Sequence, residues 1–135
     1  MKKIIFVCTG NTCRSPMAEG YLKSKNRKDL EIMSRGIAAD GSVVSENSVV
    51  AMKELGIDIS GHTSKQLTFA DIDESTVFIT MSASHADILE GLGLDKMKIF
   101  VLGIPDPYGG DLEAYKTCRD EIISGIDEFI EDGII

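Results

Sequence analysis

One short segment near the start constrains this chain more than any other. An apolar run rich in β-branched residues, Ile4-Ile5-Phe6-Val7, ends in the loop Cys8-Thr9-Gly10-Asn11-Thr12-Cys13-Arg14, and Ser15-Pro16 follows at once. The run reads as a strand. A serine followed by a proline reads as the N-cap and first residue of a helix. A strand that turns so abruptly into a helix commits the chain to a layered α/β architecture. It also gathers a thiol, a turn of backbone N–H groups, an arginine and a helix N-terminus into one small volume. That combination suits a phosphoryl group, with its peripheral oxygens in the loop and a nucleophile behind the phosphorus.

The remainder alternates in the same way. Pro16 to about Lys25 reads as a helix with Met17, Tyr21 and Leu22 on one side, and Leu30–Ser34 as a weakly hydrophobic second strand. Ser45 opens a helix through Leu55, with Val49, Met52 and Leu55 as its apolar stripe and Gly56 as C-cap. Thr76–Thr80 is a third strand, Ser82 caps a helix ending near Gly91–Gly93, and Lys98–Leu102 is a fourth strand. Asp111 opens a long helix in which Tyr115, Cys118, Ile122, Ile126 and Phe129 recur at helical spacing. The pattern predicts a three-layer open parallel sheet of about four strands, flavodoxin-like, with helices on both faces and the phosphate loop after strand one. At 135 residues and 43% hydrophobic, residues 1–135 are expected to form a single domain with a substantial core. Ligands of such sheets sit beyond the carboxyl ends of the strands. Cys8 ends the first strand and Pro105-Asp106-Pro107 follows the fourth, so these two segments are expected to meet.

The residue types fit one chemistry. A thiol needs a helix N-terminus, a cation or hydrogen-bond donors to act as thiolate, and the loop offers all three to Cys8. Gly10 and Asn11 tolerate left-handed backbone angles, so the loop can turn its N–H groups inward. Ser15 either caps the helix or hydrogen-bonds the Cys8 sulfur. Arg14 can grip two phosphate oxygens with its planar fork. Asp106 is held between two prolines, which suits a carboxyl group that protonates a leaving atom and later accepts a proton from water.

Composition excludes several other classes. A net charge of −8 and an isoelectric point near 4.7 argue against nucleic acid or an anionic membrane surface as partner. No apolar run is long enough to span a bilayer, and the one at Ile4–Val7 is too short for a signal peptide, so a cytoplasmic protein is expected; a monomer is expected as well. Three cysteines without ligand-spaced histidines point to neither a disulfide framework nor a metal site, and no cofactor is expected.

The segment Val7-Cys8-Thr9-Gly10-Asn11-Thr12-Cys13-Arg14-Ser15-Pro16 closely resembles the signature of the low-molecular-weight protein tyrosine phosphatases, and Asp106-Pro107-Tyr108 resembles their acid loop. Ser34 with Gly36, His62 to Leu67, and Thr80-Met81 extend the resemblance along essentially the whole chain. It implies that Cys8 is the nucleophile and forms a phosphocysteine, that Arg14 binds the phosphoryl group, and that Asp106 is the general acid. It also implies that Thr9, Gly10, Asn11, Thr12, Cys13 and Ser15 belong to the phosphate-binding loop. Asn11 and Ser34 would hydrogen-bond each other, Ser15 would stabilise the thiolate, and His62 would support the loop. Cys13 could form a reversible disulfide with Cys8.

Thr12 stands where the tyrosine phosphatases carry an aliphatic residue, and Gly109-Gly110 stands where their acid loop continues with a second aromatic. Both features are closer to the bacterial protein arginine phosphatases of the same superfamily. Thr12 and Tyr108 are therefore the expected pocket residues, with Thr12 either a specificity element or a plain wall residue, and a phosphorylated protein is the expected partner. Phosphoarginine is the preferred substrate class. Phosphotyrosine is the alternative, with an arsenate reductase or a phosphocysteine carrier less favoured. A flavin-binding module is the remaining reading, and the chain has no tryptophan to stack on a flavin ring.

Overall fold

Ile4, Ile5, Phe6 and Val7 are completely buried at the centre of strand β1 (Lys2–Cys8). The computed structural model describes residues 1–135 and continues with α1 (Arg14–Ser24), β2 (Leu30–Gly36), α2 (Glu46–Lys53), β3 (Thr76–Thr80), α3 (Ala83–Gly91), β4 (Ile99–Val101) and α4 (Leu112–Glu131). The four strands form one parallel sheet in the order β2-β1-β3-β4. Ile4 pairs with Ile32 on one side and Val77 on the other, and Cys8 pairs with Gly36.

Alternation along β1 sends its side chains to two layers. Ile4, Phe6 and Cys8 pack with Met17 and Leu22 of α1, Met52 of α2, and Ile122 and Ile126 of α4. Ile5 and Val7 face the other way, with Phe78 of β3 and Leu89 of α3. The strand is therefore apolar at successive positions because both of its faces are covered. The layers are unequal, with 21 buried residues in the first cluster and 4 in the second. Most apolar burial, worth about 25 cal/mol per Å², thus lies on the side of α1, α2 and α4.

The crossover through α1 leads out to β2, and the next returns past β1 to β3. The chain therefore reverses direction across the sheet beside the carboxyl end of β1, which opens a crevice there. Gly36 is needed at its edge. A Cβ there would lie 2.7 Å from the Thr9 carbonyl oxygen and 3.1 Å from the Asn11 Cβ.

Element boundaries differ from the sequence expectations in five places, the first being β1, which spans Lys2–Cys8 and not only the apolar run Ile4–Val7. α1 begins at Arg14, not Pro16, with Cys13 in the N-cap position. Ser15 therefore does not cap it, because its hydroxyl is engaged at the Cys8 sulfur. α2 stops at Lys53, where Gly56 takes a φ of 76° and turns the chain, so Leu55 is exposed and not part of the stripe. β2 runs on to Gly36, held there by pairing with Cys8. β4 shrinks to three residues at the sheet edge, because Lys98 belongs to a 3-10 turn over Lys96–Lys98. No helix is long and apolar enough to cross a membrane.

Candidate active site

The loop between β1 and α1 is held from outside by its carbonyl oxygens. Ile37 N donates to Cys8 O, Ala38 N to Thr9 O, and Ser45 N to Thr12 O, at 3.0, 2.9 and 2.8 Å. His62 Nε2 lies 3.0 Å from Asn11 O, and Ser48 Oγ donates to Cys13 O at 3.5 Å. In a trans peptide the C=O and the following N–H point in opposite directions, and no cis bond is present. Carbonyls drawn outward therefore turn the N–H groups of Thr9, Gly10, Thr12, Cys13 and Arg14 inward. The result is an anion-binding nest at the N-terminus of α1, where the helix dipole adds to it.

Asn11 makes this geometry possible. It adopts a φ of 57°, in the left-handed region that asparagine tolerates. Its own N–H donates to Cys8 Sγ at 3.2 Å. Its side-chain amide donates to Ser15 Oγ at 2.7 Å and to Ser34 Oγ at 3.0 Å. Its Oδ1 accepts from Lys65 N at 2.9 Å and lies 3.2 Å from His62 Nε2. Because Ser15 Oγ accepts from Asn11, its hydrogen is free for Cys8 Sγ, 2.9 Å away. Two donors thus converge on the sulfur, which suits a sulfur that carries negative charge. Ser34 passes its own hydrogen to Glu19 Oε1 at 2.5 Å.

The pocket above the sulfur is lined by Cys8, Thr9, Gly10, Thr12, Cys13, Arg14, Asp106 and Tyr108. The β1 loop and the loop after β4 do meet. Arg14 is buried, donates from Nη1 to Ile104 O at 2.9 Å, and places Nη2 3.7 Å from Asp106 Oδ2. Asp106 is half exposed, and its Oδ1 accepts from Tyr108 N at 3.0 Å. Tyr108 lines the mouth of the pocket with most of its surface free, and Gly109 beyond it takes a φ of 82°. Asn11 and Ser15 stand behind the loop and not on the pocket wall, with Ser34 and His62 behind them.

The structure adds Glu19 and the Ile104 carbonyl, which the sequence did not single out, and places two residues of the α4 stripe near the loop. Glu19 ends the chain of hydrogen bonds that starts at Cys8. The Ile104 carbonyl anchors the arginine. Tyr115 of α4 is buried under the loop with its hydroxyl 3.5 Å from Cys13 Sγ, and burial with that neighbour pushes the phenol upward. Cys118 is buried on the apolar stripe of α4, where loss of solvent pushes its thiol up to about 12. No cluster of His, Cys, Asp and Glu has the arrangement of a metal site.

A family model described as low molecular weight phosphotyrosine protein phosphatase matches residues 3–132. The chain belongs to that family. Among its relatives in the family, a protein-arginine-phosphatase of Geobacillus stearothermophilus is 41% identical over 96% of this chain and 94% of that protein. An arsenate reductase of Staphylococcus aureus is 39% identical over 95% of each. The solved structure of the YwlE arginine phosphatase from Geobacillus stearothermophilus superposes with a TM-score of 0.90 at 39% identity, covering 98% of this chain and 92% of that one. A cysteine-to-serine mutant of YwlE arginine phosphatase with a phosphorylated active-site serine matches with a TM-score of 0.87 at 30% identity, covering 96% and 94%. The low-molecular-weight phosphatase fold thus extends over nearly the whole chain.

Proposed function

We propose that this phosphatase hydrolyses phosphoarginine in proteins, with Cys8, Arg14 and Asp106 as its chemical groups. The Cys8 thiolate attacks phosphorus from the floor of the pocket while the nest and Arg14 hold the three peripheral oxygens. The P–N bond breaks, Asp106 delivers its proton to the departing guanidine nitrogen, and the unmodified arginine side chain leaves. Water then attacks the phosphocysteine, Asp106 takes a proton from it, and the S–P bond breaks to release inorganic phosphate and the thiolate. The phosphorylated serine in the YwlE mutant supports a covalent intermediate at the matching position.

The observation that carries the substrate class is Thr12 on the pocket wall. Its Oγ1 lies 3.7 Å from Cys13 Sγ and 3.6 Å from where a Cβ on Gly10 would stand. A hydroxyl there can hydrogen-bond a guanidine or its water, which an aliphatic side chain cannot do. Asp106 can also hold a guanidinium by charge-assisted bonds. The similarity to the Geobacillus arginine phosphatase supports this reading.

Phosphotyrosine is the second reading, and the exposed ring of Tyr108 at the pocket mouth favours it. Arsenate reduction is disfavoured by the thiols. A disulfide relay needs reactive cysteines beyond the loop, the segment from Met81 to Leu92 has none, and Cys118 is buried and hard to ionise. Peptides carrying phosphoarginine and phosphotyrosine, supplied in competition with Cys8→Ser as inactive control, test the proposal. Preferential release of phosphate from phosphoarginine is expected, and a strong preference for phosphotyrosine overturns it. Thr12→Ile should move the selectivity toward the aryl phosphate by about tenfold, the value of one good polar contact.

A further inference from the structure

Thr9 is the one pocket residue whose side chain is tied to the opposite layer of the fold. Its Oγ1 lies 2.9 Å from Nε2 of His85 in α3. His85 is buried on the far side of the sheet from α1 and α4, with its Nδ1 2.8 Å from Ser82 Oγ. Ser82 is the N-cap of α3 and is itself pinned, since Thr80 Oγ1 at the end of β3 donates to its carbonyl at 2.9 Å. Its Oγ also accepts from His85 N and lies 2.9 Å from Ser84 Oγ. A buried imidazole therefore bridges a helix cap and the mouth of the phosphate pocket.

We propose that His85 is a positioning residue for the phosphoryl group, its Nε2–H holding the Thr9 hydroxyl as a hydrogen-bond donor into the pocket. The inference rests on the reading of the β1 loop as a phosphoryl site. The two ring nitrogens set the direction of the bonds. When Ser82 donates to Nδ1, the neutral ring carries its hydrogen on Nε2 and donates to Thr9 Oγ1. The hydroxyl hydrogen of Thr9 must then point away from His85. In the opposite tautomer Nε2 accepts from Thr9, and the hydroxyl turns back from the pocket. An anion among Cys8, Arg14 and Thr9 selects the first arrangement.

A protonated ring keeps the same direction at Thr9, because both of its nitrogens donate, while the bond to Ser82 reverses so that Nδ1 donates. The groups that face His85 are Thr9 from the loop, Ser82 at the start of its own helix, Arg14 from α1 and Asp106 from the acid loop. Burial and then the Arg14 charge hold the imidazole below its ordinary range, against the pull of Asp106. A phosphoryl dianion placed against Arg14 offsets that charge. Binding of the anion and proton uptake by His85 therefore favour one another.

Two amide substitutions separate the nitrogens. His85→Gln carries an N–H where Nε2 stood, whereas His85→Asn reaches only the place of Nδ1. Calorimetric binding of inorganic phosphate is the readout, so the result does not depend on which phosphorylated side chain is the substrate. His85→Gln should bind phosphate within about twofold of the wild type, and His85→Asn and Thr9→Val each about fivefold more weakly, the value of one neutral hydrogen bond. The double variant Thr9→Val/His85→Asn should be no weaker than either single one. In the wild type, the NMR titration midpoint of the His85 ring should move to higher pH when phosphate saturates the site. Equal binding by both amide variants, additive losses in the double variant, or a midpoint that does not move each overturn the role of His85. Failure of the wild type to bind phosphate at all would instead overturn the reading of the loop, and this inference with it.

Discussion

Asn11 has more hydrogen-bonding duties than any other residue of the site, and each of its polar atoms has one. Its backbone N–H meets the sulfur, its amide N–H groups meet Ser15 and Ser34, and its Oδ1 meets Lys65 N. Asn11→Ala removes the side-chain bonds and leaves buried partners without them, at about 1–3 kcal/mol. It also takes alanine into a left-handed φ. A lower urea midpoint and a fall in kcat/KM of at least tenfold are expected, and unchanged turnover would show that the loop keeps its shape without this residue. Gly36→Ala acts on the same loop by crowding. The added methyl meets the backbone oxygen of Thr9, which cannot give way without losing its bond from Ala38. About 1–3 kcal/mol of stability should be lost, together with activity, as urea unfolding and phosphate-release assays would report. These residues also mark how far the sequence is readable at this scale. Cys8, Arg14 and Asp106 were visible because their types and flanks are distinctive. Glu19 was not, because a glutamate four residues before Lys23 on a helix has the pattern of an ordinary surface pair. His85 gave only a weak signal, a polar residue three positions after a serine cap. Nothing in the sequence shows that its ring reaches across to Thr9.

At the scale of elements, legibility followed burial. β1 and α4 were recognised because one is apolar on both faces and the other carries a long stripe at helical spacing, although β1 starts two residues earlier and ends one later than its apolar run. β4 is one residue shorter at each end than expected and α2 stops two residues early, where exposed and buried residues mix and no period decides the boundary. Helix starts were legible where a polar residue immediately precedes the apolar period, as at Ser45, Ser82 and Asp111. Asp111 caps α4, with Oδ1 accepting from Ala114 N at 2.9 Å, and Ser82 caps α3. Ser15 has the sequence of a cap, but the sulfur takes its hydroxyl. Asp111→Ala should therefore lower stability by about 1 kcal/mol, a fall of about 4 °C in thermal midpoint for a domain of this size. Turnover by the folded variant should stay within a few-fold of the wild type, because the Ile104–Arg14 bond and the nest do not depend on that cap. A drop in kcat/KM beyond tenfold at a temperature where the variant is folded would show that α4 controls the loop through Tyr115.

For the whole molecule, acid is the condition that tests how these parts hold together. Both shifted classes of group act in the same direction. The His85 imidazole is held below its ordinary value of 6.5 by burial and by Arg14. Above that pH neither state binds its proton. As pH falls below it the unfolded chain takes up a proton that the folded protein resists, so stability declines. The carboxylates begin later. Burial opposes ionisation of Asp71, yet Arg35 and the Thr68 N–H outweigh it and hold the group below its ordinary range. Asp73 falls to about 2, chiefly through Ser75, and Asp29 to about 2, chiefly through Arg27. Their contribution is present above an ordinary pKa of 3.8 and is lost as pH falls toward about 2. Lys3 links Asp73 to β1, and Arg35 of β2 links Asp71, so this second loss loosens the amino-terminal end and one edge of the sheet together. Urea midpoints should thus decline gently from pH 7.5 to pH 5 and steeply below pH 4. His85→Gln, which cannot take up the proton, should flatten the gentle part and leave the steep part in place. If the gentle decline survives in that variant unchanged, His85 is not its source, and the buried imidazole binds protons equally in both states.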